Sequence, residues 1–113
     1  MNKKLDIFEQ SNFISGDERR TIDKWCEFFS KDDVKAVETF ITHLVMMVHR
    51  RHSDERIEAL DVSLLSQVMN SRCIEETFKL VESIQCDFTV SQEEKGYLLL
   101  HICNILEKRS SYE

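Results

Sequence analysis

In 113 residues there is no proline, and there are only two glycines, Gly16 and Gly96. Proline and glycine interrupt helices and shape tight turns, so a chain nearly free of both is permitted long helices with few sharp breaks. The expected fold class is therefore all-α, a compact bundle of about five to six helices. Helix boundaries must then be written in caps. Three segments, Ser15-Gly-Asp-Glu18, Ser30-Lys-Asp-Asp33 and Ser91-Gln-Glu-Glu94, place a serine three residues before an acid. At that spacing the two side chains can cap exposed N–H groups reciprocally, and glutamate at the third position is the better match. These signals predict an N-terminal piece over about 3–13 and a helix over about 17–29 carrying Ile22, Trp25, Phe28 and Phe29. A long helix follows over about 32–52. Beyond the charged link His52-Ser-Asp-Glu-Arg56, further helices are expected at about 57–69, 72–86 and 92–108.

Length and charge narrow the function classes. One domain is expected, long enough to bury a modest core without staples. No apolar run approaches the roughly 18 residues that a membrane span requires. The N-terminus MNKKLDIFEQ has two lysines but no apolar core or cleavage site behind them, so it does not read as a signal peptide. A cytoplasmic protein with no membrane association is expected. A net charge of −6 repels a phosphate backbone, so direct nucleic-acid binding is disfavoured, although Arg50-Arg51 forms a local basic patch. Cys26, Cys73, Cys86 and Cys103 are scattered without a C-x-x-C spacing and read as free, buried thiols in a reducing compartment.

Two helices repay closer reading. At 100° per residue, Val34, Val37, Ile41, Leu44, Val45 and Val48 fall on one stripe, the core-facing side of the long helix. His43 lies nearly opposite. Its neighbours at helical spacing are Ala36, Phe40, Met47 and Arg50, so this second face is also partly apolar, placed where a partner or second subunit could cover it. In the last helix Leu98, Ile102, Ile105 and Leu106 form the stripe, widened by Leu99 and Cys103. His101 flanks it in line with Glu94, Tyr97, Asn104 and Lys108, where neighbours can orient an imidazole that stays reachable.

Most of the other constellations point to ordinary helix surface or core. A lone histidine on a helix flank is commonly solvated or hydrogen-bonded. His49 and His52 stand three apart and precede Asp54 and Glu55, but no third ligand follows at a fixed helical spacing, so no metal and no cofactor is expected. Asp17-Glu-Arg-Arg20 and Asp54-Glu-Arg56 read as solvated helix starts, and Trp25, Phe28 and Phe29 as core. With no Gly-rich phosphate loop, H-E-x-x-H or G-x-S-x-G, the chain is not expected to be an enzyme.

The segment Glu94-Lys-Gly-Tyr-Leu-Leu-Leu-His101-Ile closely resembles the second histidine motif of the phosphotransferase-system regulation domain, or PRD, in which an acid, a glycine and an aromatic residue precede the histidine. Thr42-His43-Leu-Val-Met-Met-Val-His-Arg50 resembles that domain's first histidine motif, with an arginine seven residues on. Order and separation fit as well, the two histidines standing 58 positions apart. The resemblance divides the chain into an N-terminal extension or short helix over 1–14, a PRD-like helical domain over 15–108 and a tail over 109–113. It implies a helical bundle that commonly dimerises and accepts phosphoryl groups on histidine from HPr or an EIIB component of the sugar phosphotransferase system. On this resemblance His101 and His43 are the phosphoacceptors and Arg50, Glu94 and Tyr97 their supporting residues. The implied function is a regulatory phosphoacceptor module that signals through dimerisation or a protein partner, such as a separate transcription regulator. The alternative is a helical interaction protein that keeps the PRD fold without phosphoryl transfer.

Two departures accompany the resemblance. Many PRDs carry aspartate before the first histidine, where this chain has Thr42, a hydrogen-bonding residue without charge. PRDs usually occur in pairs behind an RNA-binding or DNA-binding domain, and 113 residues leave room for neither. The expectation is a stand-alone PRD acting through another protein, or as a phosphoryl sink or sensor. Phe40 and Met47, flanking His43 away from the main stripe, predict a two-fold dimer.

Overall fold

The structure, a computed structural model, describes residues 2–111. The described residues form six helices and no strands, in the order α1 (Asn2–Gln10), α2 (Gly16–Phe28), α3 (Val34–His52), α4 (Val62–Met69), α5 (Ile74–Asp87) and α6 (Gln92–Ser111). The all-α expectation holds. α6 is the central element, packed on α3, α4 and α5, while α2 lies on α3 and α1 on α2. Its stripe of Leu98, Leu99, Ile102, Cys103, Ile105 and Leu106 is buried throughout. In α3 Ile41, Leu44 and Val45 are also fully enclosed, as are Ile22 and Phe29.

Local chemistry explains most boundaries. Ser15 and Glu18 form the reciprocal cap at the start of α2. At α3 the cap is Asp33, whose carboxylate accepts from the Ala36 N–H, and not Ser30. The helix therefore begins at Val34, which is 70% exposed and lies off the buried stripe. Phe28 is likewise 54% exposed at the end of α2, whereas Trp25 and Phe29 are core. Ion pairs fasten the helices to one another. The Arg109 fork from α6 holds Asp32 ahead of α3 at 2.8 and 3.0 Å, and Asp87 of α5 accepts from Lys24 and from the Trp25 indole.

The largest difference from expectation lies between α3 and α4. Residues 57–61 fit a helical period but are not helical, and the irregular segment spans 55–61. It follows a turn with Asp54 at φ 57°, and α4 starts only after Asp61, whose carboxylate accepts from the Ser63 N–H. A tertiary contact competes with the local period: Leu60 lies against Gly96, where an added Cβ would meet the Leu60 Cβ at 3.4 Å. Gly96 is thus a place of close approach between α6 and the segment before α4.

Two further expectations are corrected. Phe40 and Met47 are buried in the monomer and do not supply a dimer surface. α6 covers the second face of α3. Of the four free thiols only Cys103 is buried; Cys86 is exposed, and Cys26 and Cys73 are half-buried.

Candidate functional site: a histidine pair in the α3–α6 seam

His43 and Arg50 stand two helical turns apart on α3, so they share a face. Glu94, Tyr97 and His101 occupy positions three and four apart on α6 and share another. Because α3 packs on α6, these two rows meet. The His43 and His101 rings lie 5.0 Å apart between centroids at an interplanar angle of 46°. Tyr97 also stacks on His43, at 5.5 Å and 20°. Arg50 grips Glu94 with its fork, Nε to Oε2 at 3.1 Å and Nη2 to Oε1 at 2.9 Å. The structure thus brings together all five residues singled out in the sequence.

Glu94 connects the arginine to the histidine. It was expected to close a capping box with Ser91, and its backbone N–H does donate to the Ser91 hydroxyl at 3.2 Å. Its carboxylate turns inward to Arg50 instead, with side chains only 8% and 15% exposed. Its Oε1 also lies 3.4 Å from Nε2 of His43, whose side chain is 9% exposed. That contact would be an ion pair only for a protonated ring. Burial above all, and then the charges of His101 and Arg50, push the His43 pKa down to about 3, so the ring is neutral. Burial pushes His101 in the same direction. Nε2 of His43 is left buried without a hydrogen-bond partner. The neighbouring carboxylate favours the tautomer with its proton on Nε2, which leaves the lone pair on Nδ1.

The two rings differ in access. His101 is half-buried and lines a surface cleft of about 390 Å³ together with Thr39, Gln67, Asn104 and Glu107. Reasoning from sequence did not single out Thr39, Gln67 or Glu107. Thr39 stands four residues before His43, and its place on that face was the only signal available. Behind the Arg50–Glu94 pair a second cavity of about 300 Å³ is lined by Arg51, Arg56 and Ser91 among others.

His49 and His52 are engaged elsewhere. His49 stacks on Phe13, with centroids 3.6 Å apart and planes within 9°, and His52 Nε2 meets Glu18 at 2.6 Å. Among the described residues no group of three or more His, Cys, Asp or Glu side chains is arranged to hold a metal ion. Nor is any described helix long and apolar enough to cross a membrane.

Chemically, the seam offers two neutral imidazoles, one of them beside an open cleft, and an arginine fork held by a carboxylate. A neutral imidazole is a competent nucleophile near neutral pH, and an arginine fork matches carboxylate and phosphate oxygens alike. No curated protein and no solved structure matches the chain. The comparison with protein families matches residues 21–105 to the PRD domain.

Proposed function

The chain belongs to the PRD domain family, and from that premise we propose that it is a regulatory phosphoacceptor module of the sugar phosphotransferase system, with His101 and His43 as acceptors. The observation that carries this reading is the convergence of both histidines with Arg50, Glu94 and Tyr97 in one seam. HPr or an EIIB component is the donor. Its bond to phosphorus breaks as the bond to the imidazole nitrogen forms, the accepting ring releases its N–H proton, and the departing donor group takes one up. His101, beside the cleft, is the first acceptor, and His43 requires some opening of the seam.

The new group brings a charge of roughly −1.5 to −2 and three acceptor oxygens. These oxygens compete with Glu94 for the Arg50 fork. Releasing Glu94 loosens the first turn of α6, and that local change is what a partner reads, in a second copy of the chain or in a separate transcription regulator. Any dimer must use a surface other than Phe40 and Met47. The setting is cytoplasmic, where the donors are.

The burial of His43 favours one other reading, a PRD fold that binds partners without accepting phosphate. The two separate when the protein is incubated with phosphoenolpyruvate, enzyme I, HPr and candidate EIIB proteins and assayed for acid-labile phosphate. Transfer to the wild type and none to a His43→Ala, His101→Ala double variant is expected. Equal labelling of both proteins, or of neither, would sink the phosphoacceptor reading.

A further inference from the structure

We propose that the outward face of α4 is where a second copy of this chain docks, with the two α4 helices packed antiparallel across a two-fold axis. Of the six large apolar side chains left exposed among the described residues, three stand on this eight-residue helix: Val62 at 81%, Leu64 at 39% and Met69 at 47%. Only Val68 of α4 is buried. The helix, VSLLSQVM, carries no charged residue, although the outer face of a surface helix is ordinarily charged and polar. At 100° per residue Val62, Ser66 and Met69 share the side turned away from Val68, with Leu65 at its edge. That side adjoins an apolar cavity of about 420 Å³ lined by Leu60, Leu65, Met69, Phe78 and Leu99 among others. A contiguous exposed apolar surface of this kind marks an interaction site.

What singles out a second copy is that the ridge is complementary to itself. With a two-fold axis across the middle of α4, between Leu65 and Ser66, the helices run antiparallel and their dipoles oppose. Val62 then meets the partner's Met69, at the mouth of the partner's apolar cavity. Leu65 meets the partner's Ser66, a small residue that lets the two backbones approach. The charged ends match as well. Asp61, the N-cap of α4, falls beside the partner's Asn70 and within reach of the partner's Arg72. Both Asp61 and Arg72 are exposed, and among the described residues neither is held in an ion pair within its own chain. Symmetry makes the pair twice, whereas a partner of different sequence needs none of this internal matching. The ridge is only about 12 Å long, so the contact belongs with interfaces under about 1,200 Å² and dissociation constants on the order of 10–100 μM. Gln67 and Val68, on the other side of α4, line the His101 cleft, so the docked helix is also a wall of the acceptor site. The docking surface itself does not depend on the phosphoacceptor reading, and the unmodified chain tests the one apart from the other.

The test is analytical ultracentrifugation of the full, unmodified chain from about 1 to about 500 μM, with circular dichroism confirming the fold of each variant. Wild type is expected to pass from monomer to dimer across this range. Ser66→Glu sets two like charges beside the axis and is expected to weaken the dimer about tenfold or more. Cross-linking reads the register in a chain whose exposed Cys86 is first replaced, Cys86→Ser. In that background Ser66→Cys, next to the axis, is expected to give a disulfide-linked dimer on mild oxidation. Val62→Cys is expected not to, because its two copies lie about 10 Å apart along the axis, beyond the reach of a disulfide. A monomer at the highest concentration would overturn the proposal. So would a dimer that folded Ser66→Glu leaves unchanged, or cross-linking of Val62→Cys as readily as of Ser66→Cys.

Discussion

Three of the four histidines lie on α3 and the fourth, His101, on α6, and the molecule treats a rim pair and a seam pair in opposite ways. At the rim, His49 lies flat on Phe13 and His52 meets the Glu18 carboxylate, so each ring is engaged in holding one element to another. In the seam, His43 and His101 face each other, and a buried nitrogen of His43 has no hydrogen-bond partner. Buried polar atoms are nearly always satisfied, so an unsatisfied one marks a site that packing alone does not explain. Residue type and helix are shared by His43, His49 and His52. Contacts separate the structural histidines from the available ones.

The largest expected effect comes from removing what organises the seam. Glu94→Ala leaves the Arg50 guanidinium without its carboxylate, and a broken buried pair of this kind costs about 3 kcal/mol or more. Urea unfolding of the variant is expected to show that loss, with Glu94→Gln intermediate. A loss near that of an exposed pair would place Glu94 with the rim contacts.

Acid should strike the seam next. The folded His43 pKa of about 3 lies below its ordinary value of 6.5, so below pH 6.5 the unfolded chain binds a proton that the folded chain refuses. The contribution is fully present above pH 6.5 and is lost progressively as pH falls toward 3, by up to roughly 1.4 kcal/mol per pH unit. His101 acts in the same direction. Melting temperature followed from pH 7 to pH 4 is expected to fall more steeply for the wild type than for His43→Leu. Parallel curves would show that the ring is not held neutral.

Substitution at neutral pH then distinguishes the pairs by sign. His43→Leu removes an unsatisfied buried nitrogen and is expected to be neutral or to stabilise by about 1 kcal/mol. His49→Ala loses a stacked ring and should destabilise by about 1 kcal/mol. His52→Ala breaks an exposed contact and should cost about 0.5 kcal/mol or less. Thermal unfolding of the three variants checks the order. Destabilisation by His43→Leu equal to that of His49→Ala would erase the distinction between seam and rim.

The fold was legible wherever local chemistry decided it. Ser15 and Glu18 announce α2, and the apolar period of α6 names its buried side residue for residue. It failed at 57–61, where the helical period of the sequence yields to the seat that Gly96 offers Leu60, a contact made by a helix more than thirty residues away. In the site, all five residues could be named from two motifs, yet the face of α3 that carries His43 looked like one awaiting a second subunit. Periodicity reports that a helix is covered on two sides and not which element covers it. Glu94 illustrates the same limit, since its cap spacing is satisfied by the Ser91 hydroxyl alone while its carboxylate goes to an arginine 44 positions earlier.

The most direct test of the comparison is phosphoryl transfer from HPr to three proteins measured side by side: wild type, the rim double variant His49→Ala, His52→Ala, and the seam double variant His43→Ala, His101→Ala. The account predicts acid-labile phosphate on the wild type and the folded rim variant at similar levels, and none on the folded seam variant. Labelling of the seam variant at the wild-type level, or its loss from a folded rim variant, would contradict it.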